Sequence, residues 1–389
     1  MEQTFNFTKK TKTILFVFIA IGILSLVYGI VSHDIHGHRL WANVLLNNFY
    51  FLAIALAGVF FVVVHILGES GWHTSIQRIP EAMGTYLPFG SMLMLLILLG
   101  MHDLYHWTHT EELDAVLQDK TPYLNIPFFT IRTVVYLAGW TLLAYKLRQI
   151  SLASDKDPSF DILKKSRSWA AFFVVFFAIT SSTSAWDWLM SIDPHWFSTL
   201  YGWYIFSSFF VAGIAVIILI VIYLNKIGYL PHLNEEHLHD LGKYLFGFSI
   251  FWAYLWFSQF MLIWYANIPE ETIYFVERVE HFSLLFYLNL GINFFIPFIV
   301  LMTRGSKRHK GIMVIAALIV FVGHWIDIYL AIMPGAVGHE EAGIGLLEVG
   351  LTIGYTGLFL FIVFTSLTKA SLIPVNHPFY KESLEYDNI

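Results

Sequence analysis

Ten long apolar stretches run through this 389-residue chain, and they constrain its fold more than any other feature. Each stretch can cross the ~30 Å hydrocarbon core of a bilayer, which takes about 20 helical residues. Because lipid offers no partner for a free backbone amide, spans of this length must be helices. The sequence therefore predicts an all-α membrane protein with ten transmembrane helices. The predicted spans are about 13–32, 46–67, 86–104, 126–147, 169–190, 201–224, 243–264, 282–302, 311–333 and 346–368.

The positive charge of the loops lies almost entirely on one side of these spans. When loops are assigned alternately to the two sides, one side receives only Arg39, Lys120 and Arg278 of the 22 Lys and Arg residues. Cationic loops are retained in the cytoplasm, so both termini are predicted to be cytoplasmic. No loop is long enough to fold alone. Residues 1–389 are therefore predicted to form a single polytopic membrane domain.

Composition excludes several kinds of redox centre from this chain. It contains no cysteine, which removes disulfides, covalent c-type haem and cysteine-ligated iron–sulfur clusters. Histidines do not occur as pairs at matched depth on facing spans, so haem b is not predicted. The net charge of −6 does not indicate nucleic-acid binding. We expect lipids around the chain and no cofactor or metal of its own, except for a possible quinone.

A weak internal repeat relates the fifth and ninth spans. Asp187 precedes Pro194 by seven residues, and Asp327 precedes Pro334 by the same interval. In both spans a Trp lies one or two residues before the Asp. Spans four apart cross the bilayer in the same direction, so the repeat predicts two parallel four-helix bundles. These would comprise spans 2–5 and 6–9, with spans 1 and 10 peripheral. The alternative is chance similarity in a Trp-rich sequence.

Charged residues at membrane depth are costly, so each needs a partner or a purpose. Arg132 lies about two turns inside the fourth span, and Asp187 lies at similar depth in the fifth. His102, Asp103 and His106 fall at the outer end of the third span. One interpretation is a structural ion pair of Arg132 with Asp187 or Asp103. The other is a site for a quinone headgroup or a proton, which needs His or carboxylate groups near the carbonyl oxygens.

The second half of the chain contains a comparable group. His324 and Asp327 are three residues apart, so they share one face of the ninth span. Gln259 on the seventh span and Asn289 and Asn293 on the eighth could face them. The sequence leaves open whether this group relays protons or only satisfies its own hydrogen bonds.

A third group lies near the cytoplasmic end of the second span. His65, Glu69 and His73 recur every four residues and are expected to share a helical face. They are either a proton entry or a polar helix end. The same spacing places His102 and His106 on one face, where they could bind a metal in principle. A polar helix end is the simpler interpretation, and no metal site is predicted.

Four long segments resemble one family of respiratory membrane subunits. They are SAWDWLMSIDPHWFSTLYGWYIFSSFFVAGI (184–214), FGFSIFWAYLWFSQFMLIWYANIPEE (246–271), YLNIPFFTIR (123–132) and FTSLTKASLIP (364–374). These strings are similar to the F subunits of bacterial alternative complex III. That family belongs to the superfamily of polysulfide-reductase-type, or NrfD-like, membrane anchors.

The resemblance implies a role in a complex that oxidises menaquinol or another quinol, which makes menaquinone the possible quinone of this chain. It implies ten helices in two four-helix bundles, with iron–sulfur clusters and c-type haems in partner subunits. The expected partners are a homologous NrfD-like subunit, an iron–sulfur subunit, c-type cytochrome subunits and a terminal oxidase. In the homologous subunit a His and an Asp in the first bundle form the quinol site. His102 or His106 could stand in for that His, but the fourth span of this chain begins Asn125-Ile-Pro-Phe-Phe-Thr-Ile-Arg132, without the Asp. The resemblance therefore favours a structural and proton-conducting role over a second quinol site.

Two other functions fit parts of the pattern. A secondary transporter would also have parallel repeats and charges near the midplane, but its helices are usually interrupted there. In this sequence Pro88, Pro194 and Pro334 lie near span ends, and Pro297 is the main interior exception. The remaining alternative is a purely structural scaffold subunit.

Overall fold

The computed structural model describes residues 3–32, 35, 37–109, 114–156 and 159–387. Within that part of the chain, ten helices are long and apolar enough to cross a membrane, so the prediction of a multi-pass helical membrane protein is confirmed. They are α1 (Lys9–Val31), α2 (Gly37–Leu67), α3 (Arg78–Leu99), α4 (Ile126–Ser154), α5 (Asp161–Ile192), α6 (Tyr201–Lys226), α7 (Glu235–Ala266), α8 (Ser283–Leu301), α9 (Lys310–Ala336) and α10 (Leu346–Leu367). A further amphipathic helix, Pro269–His281, joins α7 to α8 and is called the connecting helix below.

Several boundaries differ clearly from the predicted spans, among them those of α2 and α3. α2 begins at Gly37, nine residues before the predicted start, because polar Asn43 is buried inside it and donates to Glu348 of α10. α3 begins at Arg78 and its long helical run ends at Leu99, earlier at both ends than predicted. Gly100 and the extended backbone of Tyr105 then interrupt the helix, and only single helical turns follow, at Met101–Leu104 and His106–Thr108.

Helices α2 and α6 form the centre of the molecule and are the most buried of the ten. α6 contacts α2, α5, α7 and α9, and α2 also contacts α3, α5, α9 and α10. The remaining neighbours along the chain, α3 with α4, α4 with α5, α7 with α8 and α8 with α9, pack in pairs. Most of the α1 surface is exposed, as expected of a helix that faces lipid or a partner.

Glycines allow α1 to pack closely against α10. A Cβ built on Gly22 would lie 2.5 Å from the Cα of Gly354, so only glycine fits at this crossing. Close backbone approach through small residues is a common way for membrane helices to associate, because no hydrophobic driving force acts between them in lipid. α1 is thus held mainly by its contact with α10.

Both ends of the chain lie at the same end of the helical assembly. Thr4 pairs with Ser371, which follows α10, and the backbone N–H of Asn6 donates to Tyr229, which follows α6. Residues 371–387 continue across this end as a segment that we call the C-terminal strap. Ser383 in the strap hydrogen-bonds Ser75 in the α2–α3 connection at 2.6 Å.

Two prolines shape helices α8 and α9 near the buried side chain of Asp327. Pro334 lies inside α9 and has no N–H to donate to the carbonyl of Leu330. Arg278 of the connecting helix donates to that carbonyl instead, at 2.9 Å, which allows α9 to continue to Ala336. In α8, Pro297 follows a π-helical turn over Gly291–Phe295. Such turns often occur at functional sites.

Candidate functional site

Asp187 is fully buried and is the centre of the first polar group. Arg132 donates to both of its carboxylate oxygens, from Nε at 2.8 Å and from Nη2 at 2.9 Å. Tyr136 donates a third hydrogen bond at 2.9 Å. Arg132 is in position because Asn125 caps α4 by accepting the N–H of Phe128, which fixes the register of the helix. Of the two interpretations of Arg132, the structure therefore contains the ion pair with Asp187.

The rest of the Arg132 guanidinium is also occupied. It lies 3.9 Å from the ring centroid of Tyr123 and 4.3 Å from that of Phe128, and Nη1 donates to the Tyr123 carbonyl at 3.0 Å. Burial raises the pKa of Tyr123 to about 12, so this phenol stays neutral. Because arginine remains protonated in proteins, the Arg132–Asp187 pair is a neutral unit with no proton to exchange.

The three residues predicted beside this pair do not hydrogen-bond to it in the described part of the chain. His102 and His106 are exposed and Asp103 is half-buried. His102 belongs to a single helical turn and His106 to a separate 3-10 turn. The expectation that they share a helical face is wrong, because the extended backbone of Tyr105 separates the two turns.

Asp327 is the second fully buried carboxylate, and its partners differ in kind from those of Asp187. It accepts hydrogen bonds from the Tyr204 hydroxyl, from Trp252 Nε1 at 2.9 Å and from Asn289 Nδ2 at 2.7 Å. These donors come from α6, α7 and α8, so the carboxylate of α9 joins four helices. All three donors are uncharged. In the described part of the chain no Lys or Arg contacts Asp327.

His324 is the only ionisable basic group beside Asp327 among the described residues. Its Nδ1 lies 3.8 Å from the carboxylate and 3.1 Å from the hydroxyl of Ser208. Both side chains are fully buried, and no described residue hydrogen-bonds His324 Nε2. If the pair carried no proton, a bare negative charge would remain buried at a cost of several kcal/mol. The pair is therefore a natural binding site for one proton.

The amides predicted to face this pair are only partly in contact with it. Asn289 binds Asp327 directly, and Asn293 donates to Asn289 at 2.6 Å, so it supports the site from behind. Gln259 instead accepts from Ser198 at 3.1 Å. Gln259 and Asn289 line a cavity of about 20 Å³ beside Tyr204 and Arg278. That volume is enough for about one water, given a minimum of roughly 10–15 Å³.

At the other end of the molecule, His65 and His73 are adjacent, but not for the predicted reason. α2 ends at Leu67, and His73 lies in a 3-10 turn that folds back so that the two ring centroids are 4.4 Å apart. Glu69 does not join them. It has a positive φ of 49°, is exposed and pairs with Arg167 at 3.0 Å. The prediction of one shared helical face for all three residues is therefore wrong.

A small polar cavity lies beside these histidines. It has a volume of about 40 Å³ and is lined by His65, His73, Gln77, Ser151 and His377 among other residues. By the same volume criterion it can hold about two or three waters. Burial, and the neighbouring His65 and His377, lower the pKa of His73 well below its usual value. His73 is therefore neutral at physiological pH and can accept a proton only transiently.

Several partners of the buried charges were not identified from the sequence. Tyr136, Tyr204 and Trp252 donate to Asp187 or Asp327, and nothing in the local sequence distinguishes them from other aromatic residues of the spans. Glu348 is fully buried at the start of α10 and pairs with Arg39 at 2.9 Å. Glu348 is the third residue of a predicted apolar span, and this position is the sequence feature that could have marked it as a buried charge.

Comparison with models of protein families found no match, and neither did comparison with curated proteins. The geometry of the buried polar groups is therefore the structural basis for a functional assignment.

Proposed function

We propose that this chain is a membrane anchor subunit of a quinol-oxidising respiratory complex of the alternative complex III type. The strings at 184–214 and 246–271 support membership of that family, and the lack of cysteine suits a subunit whose metal centres belong to its neighbours. A homologous NrfD-like subunit, an iron–sulfur subunit and c-type cytochromes would be those neighbours, with a terminal oxidase as a further partner. In this proposal the complex resides in the bacterial cytoplasmic membrane and menaquinol is oxidised at the homologous subunit.

The proposed orientation places the C-terminal strap and both termini in the cytoplasm. The distribution of Lys and Arg supports it, because the other side receives only Arg39, Lys120 and Arg278. Arg39 and Arg278 are moreover engaged in ion pairs, with Glu348 and Asp193 respectively. The cationic groups that remain exposed thus belong even more strongly to one side.

The proposed architecture has two four-helix bundles, α2–α5 and α6–α9, with α1 and α10 peripheral. The contacts support this division, because each set closes on itself through α2 with α5 and through α6 with α9. It also gives Asp187 and Asp327 equivalent positions on the fourth helix of each bundle. Each carboxylate then accepts a Tyr hydroxyl from within its own bundle.

The proposed activity of the chain itself is proton handling at His324 and Asp327. The observation that carries it is the contrast between the two buried carboxylates. Asp187 is neutralised by a permanent cation, whereas Asp327 is surrounded by uncharged donors and one histidine. Only the second arrangement becomes neutral by taking up a proton, because protonation of Asp187 would instead leave the charge of Arg132 unpaired in the membrane. The first bundle then has a structural role.

Water would have to connect this pair to the two surfaces. The outer approach is the cavity beside Gln259 and Arg278, which lies against Asn289. The inner approach begins at the cavity lined by His65 and His73. The segment between His65 and His324 is apolar and packed around α2 and α6, so proton passage there requires transient hydration.

Affinity purification of the tagged chain from its native membranes tests membership of a complex. The expected result is co-purification with c-type haem and iron–sulfur subunits and with quinol-dependent cytochrome c reduction. A preparation of the chain alone, without haem absorption and without quinol oxidation, would contradict the assignment. An unrelated ten-helix membrane protein, purified in parallel, is the control for non-specific co-purification of haem proteins.

The π-helical turn in α8 favours one second candidate, a proton-coupled transporter. Transporter sites often lie at interrupted helices, and Gly291–Phe295 interrupts α8 beside Asn289. In that case the purified chain alone would move a solute across liposomes in response to a proton gradient. An anchor subunit would not move solutes by itself.

A further inference from the structure

Three metal-binding side chains meet on the surface at the end of the connecting helix. They are Glu277 and His281 of that helix and His339 from the loop after α9, and their ligand atoms all lie within 4.8 Å of one another. His339 Nδ1 is 3.3 Å from one carboxylate oxygen of Glu277, and His281 Nε2 is 3.8 Å from the other. The group is separate from the buried carboxylates described above.

The local sequence explains why these side chains converge. Glu277 and His281 are four residues apart in a helix, so they lie on the same face. His339 follows Gly338, whose positive φ of 74° turns the chain after α9 back towards this face. The two imidazole rings stack with centroids 3.8 Å apart and planes at 9°. A single carboxylate therefore faces two basic rings from different parts of the fold.

The spacing of the ligand atoms suits a tetrahedral transition metal. Bonds of roughly 2.0–2.2 Å to N and O place tetrahedral ligands about 3.4 Å apart, close to the two measured separations. The stacked rings direct their nitrogen lone pairs alongside each other, so binding requires the rings to rotate apart. The three side chains are between 31% and 45% exposed, which leaves room for that rotation.

We propose that Glu277, His281 and His339 form a binding site for a divalent transition metal of the zinc class. Two imidazoles and one carboxylate supply three ligands, and the exposed side leaves the fourth position to water. Glu270, Glu271, Glu340 and Glu341 lie on the same helix and loop, so the local charge favours cations. The site is independent of whether the chain belongs to a respiratory complex.

A metal here would link two elements that cover the outer end of α9. The connecting helix already reaches α9 through Arg278, which donates to the Leu330 carbonyl. A bound metal adds a second link, from the same helix to the loop that begins after Ala336. Metal binding is therefore expected to slow amide exchange in the connecting helix.

The test uses the purified full-length chain in detergent or nanodiscs. Co²⁺ serves as the spectroscopic probe, because tetrahedral coordination gives intense visible absorption, and Zn²⁺ is then titrated in competition. The expected result is one equivalent of Co²⁺ displaced by Zn²⁺, with affinity reduced at least about tenfold in His339→Ala and in Glu277→Gln.

His195→Ala is the matched control. His195 is also an exposed histidine on a carboxylate, 2.7 Å from Asp114, but among the described residues no third ligand joins that pair. Its replacement should leave the visible spectrum and the affinity unchanged. Equal loss of binding in the control and in His339→Ala would overturn the proposal, as would an octahedral spectrum unaffected by either site variant. Circular dichroism of each variant verifies that the helices remain folded.

Discussion

The ion pair between Arg132 and Asp187 allows a quantitative test of the structural role that we propose for the first bundle. Replacing Arg132 with Leu removes two of the three hydrogen bonds to a fully buried carboxylate and leaves its charge unpaired. Breaking a buried pair in this way costs about 3–5 kcal/mol. Asp187→Leu should cost less, because the guanidinium keeps the Tyr123 carbonyl and two aromatic faces.

The double variant distinguishes charge pairing from simple packing. Replacing both partners removes both charges. Exchanging a buried ion pair for apolar residues often leaves stability unchanged or raises it by roughly 1–4 kcal/mol. Arg132→Leu with Asp187→Leu is therefore expected to be more stable than Arg132→Leu alone. The expected coupling free energy is about 3 kcal/mol or more, well above the usual error for independent sites, roughly 0.5 kcal/mol.

Denaturant unfolding of the purified chain in mixed micelles, followed by tryptophan fluorescence, gives the free energies for the cycle. Arg167→Leu provides the control, because Arg167 pairs with Glu69 at 3.0 Å on the surface and should change stability by only about 0–1 kcal/mol. If the double variant lost the sum of the two single losses, the pair would not be coupled and the argument for a structural unit would fail.

Three further predictions concern packing, pH and topology. Gly354→Val should detach α1 and cost at least about 1–3 kcal/mol of stability, because a Cβ at this position lies 2.4 Å from the backbone of α1. Gly247→Val is the control, since a Cβ there meets nothing within 4 Å. Proteolysis of α1 is expected to become faster in Gly354→Val alone. The C-terminal strap should loosen on acidification, because the pKa of His73 is lowered by burial in the docked state but is about 6.5 when exposed. Below that pH the undocked state therefore binds more protons than the docked state, and acid favours undocking. Amide exchange in the strap, corrected for the pH dependence of the intrinsic exchange rate, should become faster between pH 7.5 and 5.5. An unchanged corrected rate would contradict this prediction. Because the chain lacks cysteine, Lys156→Cys and Glu270→Cys can be labelled singly in whole cells, and only Glu270→Cys should react with an impermeant reagent from outside.

The ten helices were predictable because the length and polarity of a membrane span are local properties of the sequence. The stretches around residues 201–224 and 311–333 needed only a count of apolar residues, and α6 and α9 follow them closely. The boundaries of α2 and α3 were less predictable. Asn43 falls outside the predicted second span, and its place in α2 is explained only by its hydrogen bond to Glu348 of α10, more than 300 residues away in sequence.

The buried charges were predictable as a group, but their partners were not. The free-energy cost of placing a charge in lipid identified four residues at membrane depth. The structure pairs Arg132 with Asp187 in the first half of the chain and His324 with Asp327 in the second. Helical spacing failed for Glu69, because it assumes that a helix continues past the residue where α2 actually ends. Tyrosine donors could not be assigned either, since a Tyr that serves the interface and a Tyr that binds a carboxylate have the same local sequence pattern.

The number of protons moved per electron tests the proton-handling role of His324 and Asp327 most directly. The assembled complex is reconstituted in liposomes, and proton movement is recorded with a pH-sensitive dye during quinol oxidation. Asp327→Asn keeps the size of the side chain but cannot bind a proton, so the ratio should fall while haem content is unchanged. Asp187→Asn should reduce the yield of complex and leave the ratio of the assembled fraction intact. An unchanged ratio in Asp327→Asn, or a fall confined to Asp187→Asn, would contradict the account.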